Sequence, residues 1–73
     1  MYLTYDETAD AVYVYFERRD VDRTHQLTDR VNVDYAADGI PIGVEFLDVS
    51  LGIDLDNVPH RADVARLLDE RHF

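Results

Sequence analysis

Three short stretches of the chain place a bulky apolar side chain at every second position, a spacing that belongs to strands and not to helices. In the first, Val12, Val14 and Phe16 alternate with Tyr13 and Tyr15. In the second, Val31, Val33 and Tyr35 alternate with Arg30, Asn32 and Asp34. In the third, Ile42, Val44 and Phe46 alternate with Gly43, Glu45 and Leu47. Successive side chains of a strand point to opposite faces, so the aliphatic rows should merge into one core-facing surface. The second stretch, apolar on one side and polar on the other, has the pattern of a half-buried antiparallel strand.

The chain between these rows is legible from its turn chemistry. Tyr2 to Tyr5 reads as a short first strand, bounded by Asp6-Glu7-Thr8-Ala9-Asp10, and Ala11 to Glu17 as the second. Arg18 to Gln26 is charged and without sustained period, and reads as a connection. Thr28 to Tyr35 should then turn through Ala36-Ala37-Asp38-Gly39, where Asp38 tolerates unusual backbone angles and Gly39 supplies a positive φ. Ile40 to Val49 returns, with Pro41, which has no amide proton, at the strand's start or on an open edge. After Ser50-Leu51-Gly52 the period changes, predicting a helix over 57–71. Asp54, Asp56 and Asn57 are N-cap candidates and Pro59 suits a first turn. Val64, Leu67, Leu68 and the stem of Arg71 would form its buried stripe. Asp63 near its start and Arg71 near its end suit the helix dipole. The expected fold is α+β: one domain over 1–73, with a four-stranded antiparallel sheet of two hairpins over 2–50. The C-terminal helix packs on one face of that sheet.

Composition narrows the function. With 73 residues a chain buries only about 60% of its unfolded surface, so further burial by self-association is expected. Sixteen acids oppose seven bases, all arginine, for a net charge of −9. That balance disfavours direct nucleic-acid binding, which needs cations to displace phosphate counterions. There is no cysteine, hence no disulfide or thiolate metal site. No apolar run approaches the ~20 residues of a membrane span or has the form of a signal peptide. A soluble, cytoplasmic protein is the expectation, with no membrane partner.

Catalytic and metal chemistry find little support in the residue pattern. Ser50 is the only serine; it lacks the glycine context of a nucleophile elbow and reads as part of a strand-ending turn. His25, His60 and His72 are too far apart to supply a helical pair of metal ligands. Counting Gly39 as the sixth position of a calcium loop puts Asp34 first, Asp38 fifth and Glu45 twelfth. Ala36 and Ile42 then occupy two ligand positions without side-chain oxygens, so a hairpin turn is the reading. Asp34 and Glu45, facing each other beside Arg30, would make a hydrolytic pair; a solvated cross-strand charge cluster is the competing reading. No catalytic residue, cofactor or metal is assigned. Tyr13 and Tyr15, with Leu47, remain as the candidate interface, since an aromatic face rimmed by acids suits a protein surface: a second copy of the chain, which makes this face the expected dimer contact, or a basic protein or toxin partner.

The motifs also resemble a known family. Tyr5-Asp6, Asp10-Ala11-Val12-Tyr13-Val14, Val33-Asp34-Tyr35, Asp38-Gly39 and Gly43-Val44-Glu45-Phe46-Leu47-Asp48 together are similar to the small prokaryotic proteins grouped as the domain of unknown function 2283. The resemblance covers roughly residues 2 to 50, and Ile40-Pro41 departs from the charged residue that often follows the turn glycine. It carries over no catalytic residue; it implies a small stand-alone protein with an antitoxin-like or accessory role. Within the motif, Asp6 and Asp10 are expected to bracket the first turn by accepting amide hydrogen bonds. Gly43 should let a tyrosine lie across the sheet. The functional expectation is a non-enzymatic, homodimeric, protein-binding module, antitoxin-like or regulatory. An acidic decoy for a basic nucleic-acid-binding surface is the alternative, and a carboxylate-based hydrolase the weakest.

Overall fold

A computed structural model describes residues 1–73. Its sheet has five strands: β1 (Tyr2–Asp6), β2 (Ala11–Tyr15), β3 (Arg23–Thr28), β4 (Val31–Tyr35) and β5 (Pro41–Phe46). A single turn of 3-10 helix (Val49–Leu51) and one α-helix, α1 (Arg61–Glu70), complete the chain. All neighbours are antiparallel, in the order β1-β2-β5-β4-β3. The strands β3, β4 and β5 form a meander, and β2 lies beside its last strand, a Greek-key relation.

The four-strand expectation is therefore corrected to five. Arg23–Thr28, which falls mostly within the presumed connection, is an edge strand in which every residue but Leu27 is exposed. Alternation is a signal of burial, and an edge strand polar on both faces emits none. The connection shrinks to residues 16–22 and is anchored to the β4–β5 hairpin. Phe16 and Glu17 donate their amides to the Ile42 carbonyl at 2.9 and 3.3 Å, and Asp22 donates to the Tyr35 carbonyl at 2.8 Å. The Arg19 guanidinium meets Asp38 at 3.0 Å. That hydrogen bond, then the Ile40 amide, holds the Asp38 carboxyl below its ordinary value.

The aliphatic rows converge as expected. Val14 and Val33 both lie opposite Val44, and Val12 and Val31 both lie opposite Phe46, in adjoining ladders. All six are buried, together with Leu3, Val49, Val58, Val64 and Leu68. Tyr35 is only half-buried, because the β4–β5 register shifts between Asp34 and Tyr35. Pro41 is the first residue of β5, where its missing amide proton costs no ladder bond. Ahead of it, Gly39 turns the chain at φ 84°.

The helix begins at Arg61, later than the expected 57, and ends at Glu70. Asp54, Asp56 and Asn57 do not cap it. The Asp54 carboxylate instead accepts the Asp56 amide at 2.9 Å in a separate turn, and His60, in left-handed conformation, is the residue before the helix. Val64 and Leu68 bury the helix against the sheet, and Leu67 is half-buried. Arg71 contributes a guanidinium hydrogen bond to the Leu3 carbonyl at 3.4 Å.

Asp10 has a role different from the one its spacing suggests. Asp6 does bracket the first turn, accepting the Ala9 amide at 3.0 Å. Asp10 sits at φ 53°, a region aspartate tolerates better than most residues. From there its carboxylate accepts the Ser50 amide at 3.1 Å and the Ser50 hydroxyl at 2.6 Å, while its carbonyl accepts the Val49 amide at 3.1 Å. Asp10 thus ties the β1–β2 turn to the chain leaving β5. Asp10→Ala should cost about 1–2 kcal/mol, from the lost hydrogen bonds to Ser50 and from a φ that alanine tolerates less well. Asp10→Asn should lose less than half of that. Urea denaturation of the two variants measures both.

Candidate functional site: the tyrosine-bearing face

The face of the sheet away from α1 is built from the other half of each alternation. Cross-strand pairing sets Tyr2 opposite Tyr15 and Thr4 opposite Tyr13, then Tyr15 opposite Gly43 and Tyr13 opposite Glu45. Across the next ladders Glu45 lies opposite Asn32, Gly43 opposite Asp34, and Asp34 opposite Thr24. The tyrosines form a continuous row. The rings of Tyr2 and Tyr15 stack with centroids 4.5 Å apart and planes 11° from parallel. Tyr13 and Tyr15 follow at 4.4 Å, tilted by 52°. Tyr2 belongs to this row and was not singled out from sequence; its place follows only from the β1–β2 register.

Tyr13 does not stand up from the sheet. Its ring crosses Gly43, where a Cβ would lie 2.7 Å from two ring carbons. Its hydroxyl donates to Asp34 Oδ2 at 2.5 Å, two strands away. Asp34 Oδ1 accepts the Thr24 hydroxyl at 2.5 Å. The expected role of Gly43 is thus realised with Tyr13 as the crossing residue, and Tyr13, Asp34 and Thr24 strap β2, β4 and β3 together over β5. Burial, then the hydrogen bond to the Asp34 carboxylate, pushes the Tyr13 phenol above its ordinary value.

The sign of the pH effect follows. The folded state holds the Tyr13 proton more tightly than the unfolded chain does. Its contribution to stability is complete below the ordinary phenol value of about 10 and is lost as pH rises through the higher folded value. Wild-type stability should therefore fall above about pH 10, and Tyr13→Phe should flatten that decline. Urea midpoints at several alkaline pH values test it, and an equal slope in both proteins would contradict the Tyr13 assignment.

The remaining expected residues separate. Asp34 and Glu45 share this face but lie diagonally, since Asp34 faces Gly43 and Glu45 faces Asn32. Both Asp34 oxygens already accept hydroxyl hydrogen bonds, and Glu45 Oε1 accepts a hydrogen bond from the Asn32 side-chain Nδ2 at 3.3 Å. Arg30 is not part of the pair; it lies in the β3–β4 turn. Leu47 follows the last residue of β5, donates its amide to the Arg30 carbonyl at 2.8 Å, and lines a cleft at the sheet's end with Ile53 and Gly52. Tyr5 pairs edge-on with Phe73, centroids 4.9 Å apart. No group of three or more histidines, cysteines or carboxylates converges as a metal site would require. No helix is long and apolar enough to cross a membrane.

Comparison with known proteins agrees with these motifs. No curated protein and no solved structure matches the chain. A family model described as "Protein of unknown function (DUF2283)" matches residues 3–50, the span that contains the whole sheet except Tyr2, together with the Tyr13–Gly43–Asp34 crossing and the Asp10–Ser50 clamp. The chain belongs to the DUF2283 family of proteins of unknown function.

Proposed function

We propose that the protein is a non-enzymatic binding module, functioning as a homodimer, whose tyrosine-bearing face docks a basic protein partner in an antitoxin-like or regulatory role. The observation that carries this reading is the pairing of a pre-formed aromatic row with carboxylates. Tyr2, Tyr15 and Tyr13 lie beside Glu45 and Asp34; Arg18 and Arg19 flank the outer end of the row at Tyr2 and Tyr15, where Arg19 is already paired with Glu17 and Asp38. Aromatic rings and carboxylates together favour guanidinium groups, through cation–π attraction and charge-assisted hydrogen bonds. Pressing this face against its own copy would instead set Glu45 and Asp34 near like charges. The surface is pre-formed, because Tyr13 is fixed by Asp34 and Tyr15 is held between two rings.

An arginine-rich peptide is the appropriate probe. Amide chemical-shift changes should cluster on Tyr2, Tyr13, Tyr15 and Glu45, and Tyr15→Glu should weaken binding roughly tenfold. Shifts concentrated on α1, or no binding, would refute the reading. The net charge of −9 also supports a second reading, an acidic decoy for a basic nucleic-acid-binding surface. Steep loss of affinity with salt and indifference to Tyr15→Glu would favour the decoy.

A further inference from the structure

The two edges of the sheet are finished differently. Along β1, Arg71 donates to the Leu3 carbonyl and Phe73 packs against Tyr5, so the end of the chain covers that edge. Residues Arg23 to Gln26 of β3 are all exposed, with nothing laid over them.

The outward backbone groups of β3 follow from the alternation of antiparallel ladders. The Phe16 amide bonds the Ile42 carbonyl, so Ile42, Val44 and Phe46 turn their backbone groups toward β2, and Gly43 and Glu45 toward β4. Asp34 and Asn32 answer β5, leaving Tyr35 and Val33 to answer β3. The hydrogen bond from the Asp22 amide to the Tyr35 carbonyl agrees with this parity. His25, opposite Val33, therefore bonds inward, and the N–H and C=O of both Thr24 and Gln26 point away from the sheet.

We propose that a second copy of this chain pairs antiparallel along β3, on a two-fold axis at His25. In this register Thr24 of each copy faces Gln26 of the other, and every outward N–H and C=O finds a partner. Centring on Thr24 would set Gln26 against Asp22, and centring on Gln26 would set Thr24 against Thr28. Asp22 and Thr28 are engaged with β4, so either alternative leaves outward groups unmatched.

Charge points the same way. β3 contains no carboxylate, in a chain that has sixteen acidic residues, so the paired segments themselves bring no two acids together. The bulge between Gln26 and Thr28 ends the regular edge and confines pairing to this segment, and the covered β1 edge stops further addition. The product is a closed dimer with one continuous sheet. It supplies the homodimer in the proposed function while leaving both tyrosine-bearing faces open.

Sedimentation velocity over a concentration series tests the pairing. Gln26→Pro removes an outward N–H that the fold does not use, and should raise the dimer dissociation constant at least about tenfold. Tyr15→Glu should leave dimerisation unchanged. The two His25 side chains lie side by side on the axis, so His25→Glu should set like charges against each other and weaken the dimer, which answers the question even if the proline variant fails to fold. A wild-type protein that stays monomeric throughout, a dimer broken by Tyr15→Glu, or a dimer indifferent to His25→Glu would overturn the proposal. The peptide experiment reads the tyrosine face independently, so either idea can fail alone.

Discussion

Phe46→Ala should lower the unfolding free energy by about 3–5 kcal/mol, the usual cost of removing a buried aromatic. Domains carry roughly 0.05–0.15 kcal/mol of stability per residue, so a loss of that size removes much of what holds this chain folded. Phe46 is 1% exposed and lies opposite Val12 on one side and Val31 on the other, where β2, β5 and β4 meet. Neighbouring valines are short and stiff at χ1, so they cannot swing inward to fill the void. Urea denaturation gives the change directly. A loss under about 1 kcal/mol would mean that Phe46 is not part of a close-packed core.

Gly43→Ala should have the second largest effect, about 2–4 kcal/mol, from overpacking together with loss of a charge-assisted hydrogen bond. Gly43 does not have a positive φ, so backbone strain is not the cause. The added Cβ would occupy the space of the Tyr13 ring, forcing it off the sheet and withdrawing its hydroxyl from Asp34. This attribution can be isolated with a double-mutant cycle. In a Tyr13→Ala background the three nearest obstacles to the new Cβ are gone, and Gly43→Ala should then cost under about 1 kcal/mol. Full additivity of the two substitutions would show that the glycine serves some other purpose.

How much of this was readable beforehand differed with the kind of physics involved. The aliphatic rows of β2, β4 and β5 were legible because burial on one face imposes a period of two. Strand β3 was not, because its Arg-Thr-His-Gln run is held by backbone bonds to β4 and by the Thr24–Asp34 contact, neither of which constrains hydropathy. The helix start was misplaced because Asp54 and Asn57 are good cap residues that serve a preceding turn instead. At the site, Tyr13, Gly43 and Asp34 each stood out individually, and a tyrosine crossing over Gly43 was anticipated. What pairs Tyr13 with Asp34 in particular is that β2 neighbours β5, and strand order is absent from local sequence. The same gap hid the partner of the Asp10 carboxylate, which is Ser50 beyond β5 and not an amide of its own turn.

Strand order also governs how the molecule must assemble. Each hairpin joins residues close in sequence, whereas β2 and β5 bring Val12 to Phe46, and Asp10 reaches Ser50 forty residues on. Closing that seam demands most of the loop entropy, and it is repaid only when both halves are already in register. The docking of the N-terminal hairpin onto a formed meander is therefore the expected rate-limiting event in folding. Substitutions at the seam will slow refolding, and those confined to the outer turns will chiefly hasten unfolding.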